Sequence, residues 1–113
     1  MSYPQNRHDF YHAHVYFCEE SSEFAKALRE SIFSELNLKV GNFNCQPVGP
    51  HTKWSFEVHF KRQEFERFIP WLEQRRAGHS VLVHAVTGDD LLDHTEFAYW
   101  LGHPIPLKLA LFQ

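Results

Sequence analysis

The chain has 113 residues, 43% apolar and 22% charged, which is enough to bury one core but not two. With 11 lysines and arginines against 14 aspartates and glutamates it carries a formal charge of −3, so it lacks the basic stripe that phosphate binding requires, which counts against a nucleic-acid partner. No apolar run approaches the length of a membrane span or a signal-peptide core, so no membrane partner and a cytoplasmic location are expected; two cysteines, Cys18 and Cys45, are too few for a thiolate metal site or a disulfide framework.

Residues 1–9 show no periodicity and contain Pro4, and read as a flexible arm leading into one domain over residues 10–113. Residues 11–17, Tyr-His-Ala-His-Val-Tyr-Phe, read as the first strand. Strand side chains alternate, so Tyr11, Ala13, Val15 and Phe17 face a core while His12, His14 and Tyr16 share the opposite face. A helix follows, starting at Glu20 to Ser22, with Phe24, Leu28, Ile32, Phe33 and Leu36 as its buried stripe and residues 37–41 as its end. Residues 43–48 suit a short strand, closed by Pro47, Gly49 and Pro50. The clearest strand is 53–60, where Trp54, Phe56, Val58 and Phe60 alternate with Ser55, Glu57 and His59. Residues 63–76 form a second helix, which Pro70 should kink or split. The fourth strand is 80–86, with His84 on the same side as Leu82 and Val86. Beyond it, residues 93–101 read as a short helix and 107–112 as an edge strand.

The order strand, helix, strand, strand, helix, strand predicts an α+β, ferredoxin-like βαββαβ domain: a four-stranded antiparallel sheet of order 4-1-3-2 with both helices on one face and a C-terminal extension. The other face then collects His12, His14 and Tyr16 in the centre, Glu57 and His59 to one side and His84 to the other. Imidazole is the commonest protein metal ligand and titrates near neutrality, so this face suits a metal or acid-base chemistry; a solvated polar face is the bland alternative. If the register sets Glu57 and His84 on either side of His14, two imidazoles and a carboxylate form a row across three strands. A shift by two residues exchanges Glu57 for His59 and His14 for His12. Both ligand sets remain open. The nine histidines are dispersed along the chain, which is what such a site requires.

Several separate motifs occur together in order: Tyr-His-Ala-His-Val-Tyr-Phe at 11–17, Val-Gly-Pro-His at 48–51, Phe-Ile-Pro-Trp-Leu at 68–72, Val-Leu-Val-His at 81–84, Thr-Gly-Asp-Asp-Leu-Leu-Asp-His-Thr at 87–95 and Trp-Leu-Gly at 100–102. Together they resemble the fungal-type DOPA 4,5-dioxygenase family, over nearly all of the chain beyond its N-terminal arm. The resemblance implies extradiol cleavage of L-DOPA or a related catechol by O₂ at a non-haem Fe(II), with another divalent metal such as Zn able to take its place in purified protein. It carries over to His12, His14, His51, His84 and His94. On this reading His14, His84 and Glu57 or His12 hold the metal, His51 and His94 handle protons, and Tyr16 and His12 contact substrate. Two positions depart from the family pattern: Thr52 and Ala85 stand where proline usually follows the histidine, which would alter the pocket rim more than the fold. A non-catalytic metal- or ligand-binding module is the alternative. A homodimer is expected from the open sheet face and residues 107–112.

Overall fold

The computed structural model describes residues 3–113. Its elements are β1 (Phe10–Phe17), α1 (Ser22–Leu36), β2 (Lys39–Asn44), β3 (Trp54–Lys61), α2 (Arg62–Arg75), β4 (Val81–Ala85), α3 (Asp90–Asp93) and β5 (Ala98–Leu101). The strands form one antiparallel sheet of order β2-β3-β1-β4-β5. The expected 4-1-3-2 order is therefore present, but inside a five-stranded sheet rather than a four-stranded one. Among the described residues no helix is long and apolar enough to cross a membrane.

The fifth strand corrects the expectation of a helix over 93–101. Phe97 and Trp100 are spaced as on a helix face, but only the four residues of α3 are helical, and Ala98–Leu101 lies along the free edge of β4. Tyr99 and Leu101 are buried in alternation with the less buried Ala98 and Trp100, a period of two that spans too few residues to stand out in the sequence. Residues 107–112 form no strand; Leu109–Phe112 is a single 3₁₀ turn. The second strand begins at Lys39, four residues earlier than expected, because Asn37 adopts a left-handed conformation (φ 57°) that ends α1 at once. Asparagine accepts that conformation with little strain.

Both helices cover one sheet face. Ala25, Leu28, Ile32 and Leu36 of α1 and Phe65, Phe68, Ile69 and Leu72 of α2 meet Tyr11, Ala13, Val15, Phe56, Val58, Val81 and Val83. Each large apolar side chain buried in this layer contributes about 1.5–3 kcal/mol. Phe33, expected in the stripe of α1, is 54% exposed, and the stripe includes buried Ala25 instead. Pro70 does not split α2: it lies on the solvent face, and the carbonyl it leaves without an amide partner, four residues back on exposed Glu66, can bond to water.

Residues 1 and 2 of the presumed arm lie outside the described residues, but residues 5–8 are tied down by the Tyr11 hydroxyl, which accepts from the backbone N–H groups of Arg7 (2.7 Å) and His8 (2.8 Å). The second sheet face is covered in part: Leu82 (0% exposed) and Tyr16 (2%) are buried there, the β2–β3 loop reaches Tyr16 through His51 and the C-terminal segment reaches His94 through Phe112, while the side chains of His12, Glu57 and His59 remain 25–34% exposed. These two coverings are joined where Lys108 N–H donates to the Pro50 carbonyl (2.8 Å) and the Thr52 hydroxyl donates to the Pro106 carbonyl (3.0 Å).

Candidate metal and active site

Strand alternation places the histidines, and the register decides how they meet. On β1, His12 stands opposite His59 of β3 and His84 of β4, while His14 stands opposite Glu57 and Leu82. His84 thus faces His12 rather than His14. Its ring nevertheless reaches diagonally across the strand, stacking on His14 at 5.1 Å and 14° with the two Nε2 atoms 3.0 Å apart. Diagonal neighbours on one sheet face are within reach of aromatic side chains, so the pair forms without a register shift.

The His84 Nδ1–H donates to the Ala85 carbonyl at 2.7 Å, and because a carbonyl can only accept, Nε2 of His84 is left as a bare lone pair aimed at His14. His12 completes the group: one ligand atom from each of His12, His14 and His84 lies within 4.8 Å of the others. Glu57 is directed elsewhere. Its carboxylate lies between His12 Nδ1 (3.4 Å) and His59 Nε2 (3.3 Å), so the three make a second, more exposed cluster behind the first.

Two loops close the row. The turn at residues 48–51, with Gly49 at φ +55° and His51 N–H donating to the Val48 carbonyl, sets the His51 ring 4.2 Å from that of His14. A side chain at Gly49 would be strained in that conformation. The short α3 is capped by Asp89, whose carboxylate accepts from Leu92 N–H (3.1 Å), and it ends in His94, whose ring lies 4.2 Å from that of His84. The loop before α3 is held by buried Asp93, which accepts from the Thr87 backbone N–H and hydroxyl. His51, His14, His84 and His94 consequently form a row of four imidazoles, with Tyr16 bonded to His51 Nδ1 (2.7 Å) at one end and Phe112 stacked on His94 (4.7 Å) at the other.

Burial favours the neutral form of His14, His84, His51 and His12. It holds His14 well below the usual imidazole range, reinforced by the neighbouring His51 and His84. Burial lowers His84 to about 3 and His51 to about 4. It also lowers His12, against the opposing pull of the Glu57 carboxylate, and raises the Tyr16 phenol so that it stays protonated. Neutral imidazoles whose ligand nitrogens gather within 4.8 Å of one another suit a cation. Metal–nitrogen bonds of about 2.0–2.1 Å place adjacent ligand nitrogens about 3 Å apart, which matches the His14–His84 separation. The donor set fits a borderline divalent ion such as Fe(II) or Zn(II).

A cavity of about 300 Å³ opens beside this group, lined by His14, Asn42, Asn44, Gly49, His51 and Glu57. A larger one of about 430 Å³ touches only His12 and His59 among the clustered residues. Asn42, Asn44 and Phe112 join the site although no motif in the sequence singles them out. The Asn-Phe-Asn alternation at 42–44 is a strand signal that could have found the two asparagines, whereas Phe112 reaches His94 only through the tertiary path of the C-terminus. The two departures from the motif pattern are both used: the Thr52 hydroxyl bonds to the C-terminal segment, and Ala85 N–H donates to the Phe97 carbonyl at 3.1 Å, a bond that proline could not make.

The chain is 40% identical over 110 residues to a 21.2 kDa protein of Botryotinia fuckeliana described as uncharacterized, covering 87% of this chain and 60% of that one. It is 31% identical over 109 residues to a DOPA 4,5-dioxygenase of Amanita muscaria, covering 88% and 48%. The chain therefore spans about half to three-fifths of the length of these relatives. The crystal structure of a candidate dioxygenase from Nostoc punctiforme superimposes with a TM-score of 0.87 at 35% identity, covering 91% of this chain and 90% of that one. The model of the Dopa 4,5-dioxygenase family matches residues 11–111, and the chain belongs to that family.

Proposed function

We propose that this chain is an extradiol-type ring-cleaving dioxygenase that acts on L-DOPA or a related catechol with O₂ at a non-haem Fe(II), held by His12, His14 and His84. The observation that carries the reading is the pair of Nε2 atoms 3.0 Å apart, one of them bare because its ring partner nitrogen is bonded to Ala85, with His12 as third donor. Family membership supports the reaction class. A divalent iron bound there would supply open positions for the two catechol oxygens and for O₂.

The chain's own residues supply the remainder. Glu57 stands behind His12, where a carboxylate orients a ligating imidazole and strengthens its basicity. The cavity beside His14 receives the diol, with Asn42 and Asn44 as hydrogen-bond partners on its wall. His51 and His94 flank the ligand pair and bond to substrate oxygens, and the roof formed by the β2–β3 loop and the C-terminal segment keeps water from the row. Reconstitution with Fe(II) under anaerobic conditions, followed by addition of L-DOPA or 4-methylcatechol and air, should give oxygen uptake and a yellow ring-opened product. Metal retained without uptake on any catechol would overturn the enzymatic reading and leave a metal-binding module.

A further inference from the structure

The two flanking histidines are held in opposite ways. His94 Nδ1–H donates to the Asp90 carbonyl at 2.7 Å, so its Nε2 is a bare acceptor. His51 Nδ1 instead meets the Tyr16 hydroxyl at 2.7 Å, and a hydroxyl can give or take a proton. The surroundings decide which. Tyr16 is 2% exposed, and its hydroxyl has no other partner among the described residues. Ser55 stands across the strand from it, yet the Ser55 hydroxyl is itself buried without a partner, so it does not take the phenol proton. Were His51 the donor, the phenol O–H would be buried with nothing to bond, the costly arrangement that folded proteins avoid. Tyr16 therefore donates to Nδ1, and the His51 proton resides on Nε2.

We propose that Tyr16 is a positioning residue that fixes His51 as the N–H donor of the site while His94 is its bare-nitrogen acceptor, so that His51 donates a hydrogen bond to a substrate oxygen and His94 accepts one from a substrate hydroxyl. The assignment of substrate oxygens rests on the dioxygenase reading above; the assignment of protons does not. His51 lines the cavity with His14, and its ring and that of His94 each lie 4.2 Å from the nearer member of the His14–His84 pair, which places donor and acceptor at opposite ends of the row.

The experiment is a long-range ¹H–¹⁵N spectrum of metal-free protein labelled with ¹⁵N-histidine, at pH 7.5, with each ring assigned by its loss in a His→Gln variant. His51 should carry its proton on Nε2, and His84 and His94 on Nδ1. In Tyr16→Phe, which keeps the buried ring, the His51 signal should shift toward the Nδ1–H tautomer, and kcat for a catechol should fall about tenfold or more with KM changed by less than about twofold. A wild-type His51 protonated on Nδ1 overturns the proposal. So does a Tyr16→Phe protein in which either the His51 tautomer or kcat is unchanged. If wild-type protein turns over no catechol, the substrate assignment falls with the dioxygenase reading, and the spectra alone decide the hydrogen-bond arrangement.

Discussion

Acidification of the metal-free protein should expose how much the buried imidazoles cost. In the unfolded chain a histidine binds its proton near pH 6.5, whereas burial lowers folded His84 to about 3 and holds His14 well below its usual range. Between these limits the unfolded state binds more protons, so stability must fall as pH drops from 6.5 toward 3, by up to about 1.4 kcal/mol per pH unit for each ring. Taken from pH 6.5 to 4.5, this amounts to about 2 kcal/mol for His84, a large share of a typical stability of about 5–15 kcal/mol, and His14 and His51 act in the same direction. The measurement is urea unfolding followed by tryptophan fluorescence at pH 7.5, 6.0, 5.0 and 4.5. The midpoint should fall steeply below pH 6.5, and His84→Gln should flatten the slope by about one proton. A wild-type midpoint constant from pH 7.5 to 5.0 would refute the claim that these rings are held neutral by burial.

Loss of either member of the central pair should act on the metal first: His14→Ala and His84→Ala should each retain less than a tenth of the wild-type Fe(II) or Zn(II) after desalting, read by elemental analysis, and should lose catechol turnover. Saturating divalent metal at about 100 times its Kd should raise wild-type stability by about 2.7 kcal/mol at pH 7.5, measured by the same urea titration, and that gain should vanish in His14→Ala. Gly49→Ala forces a side chain into φ +55° and should cost about 1–2 kcal/mol locally, lowering kcat through His51 while metal content stays at the wild-type level. Phe56→Ala, at a fully buried position in the helix-facing layer, should destabilise the fold by about 3–5 kcal/mol in the urea titration.

The parts of this protein legible in the sequence are those governed by local period. Alternation over 11–17 and 53–60 was enough to separate a core face from a histidine face, because a strand turns each successive side chain to the opposite side whatever it pairs with. The same rule placed His12, His14, Tyr16, Glu57 and His84 on one surface, and the four-strand order followed from right-handed connections. Short elements were not legible: Ala98–Leu101 is a strand because the free edge of β4 supplies its hydrogen bonds, and residues 107–112 lie as a turn because Phe112 packs on His94. Register was also beyond the sequence. It sets His84 opposite His12, directs Glu57 between His12 and His59, and leaves His84 to meet His14 on the diagonal. The amino-acid sequence by itself thus determined which side chains share a face, since that depends only on each residue's place along its own strand. Which of them touch, which nitrogens stay bare and what roofs them was decided by the tertiary structure, because those distances are set by pairing and packing between segments far apart in the chain.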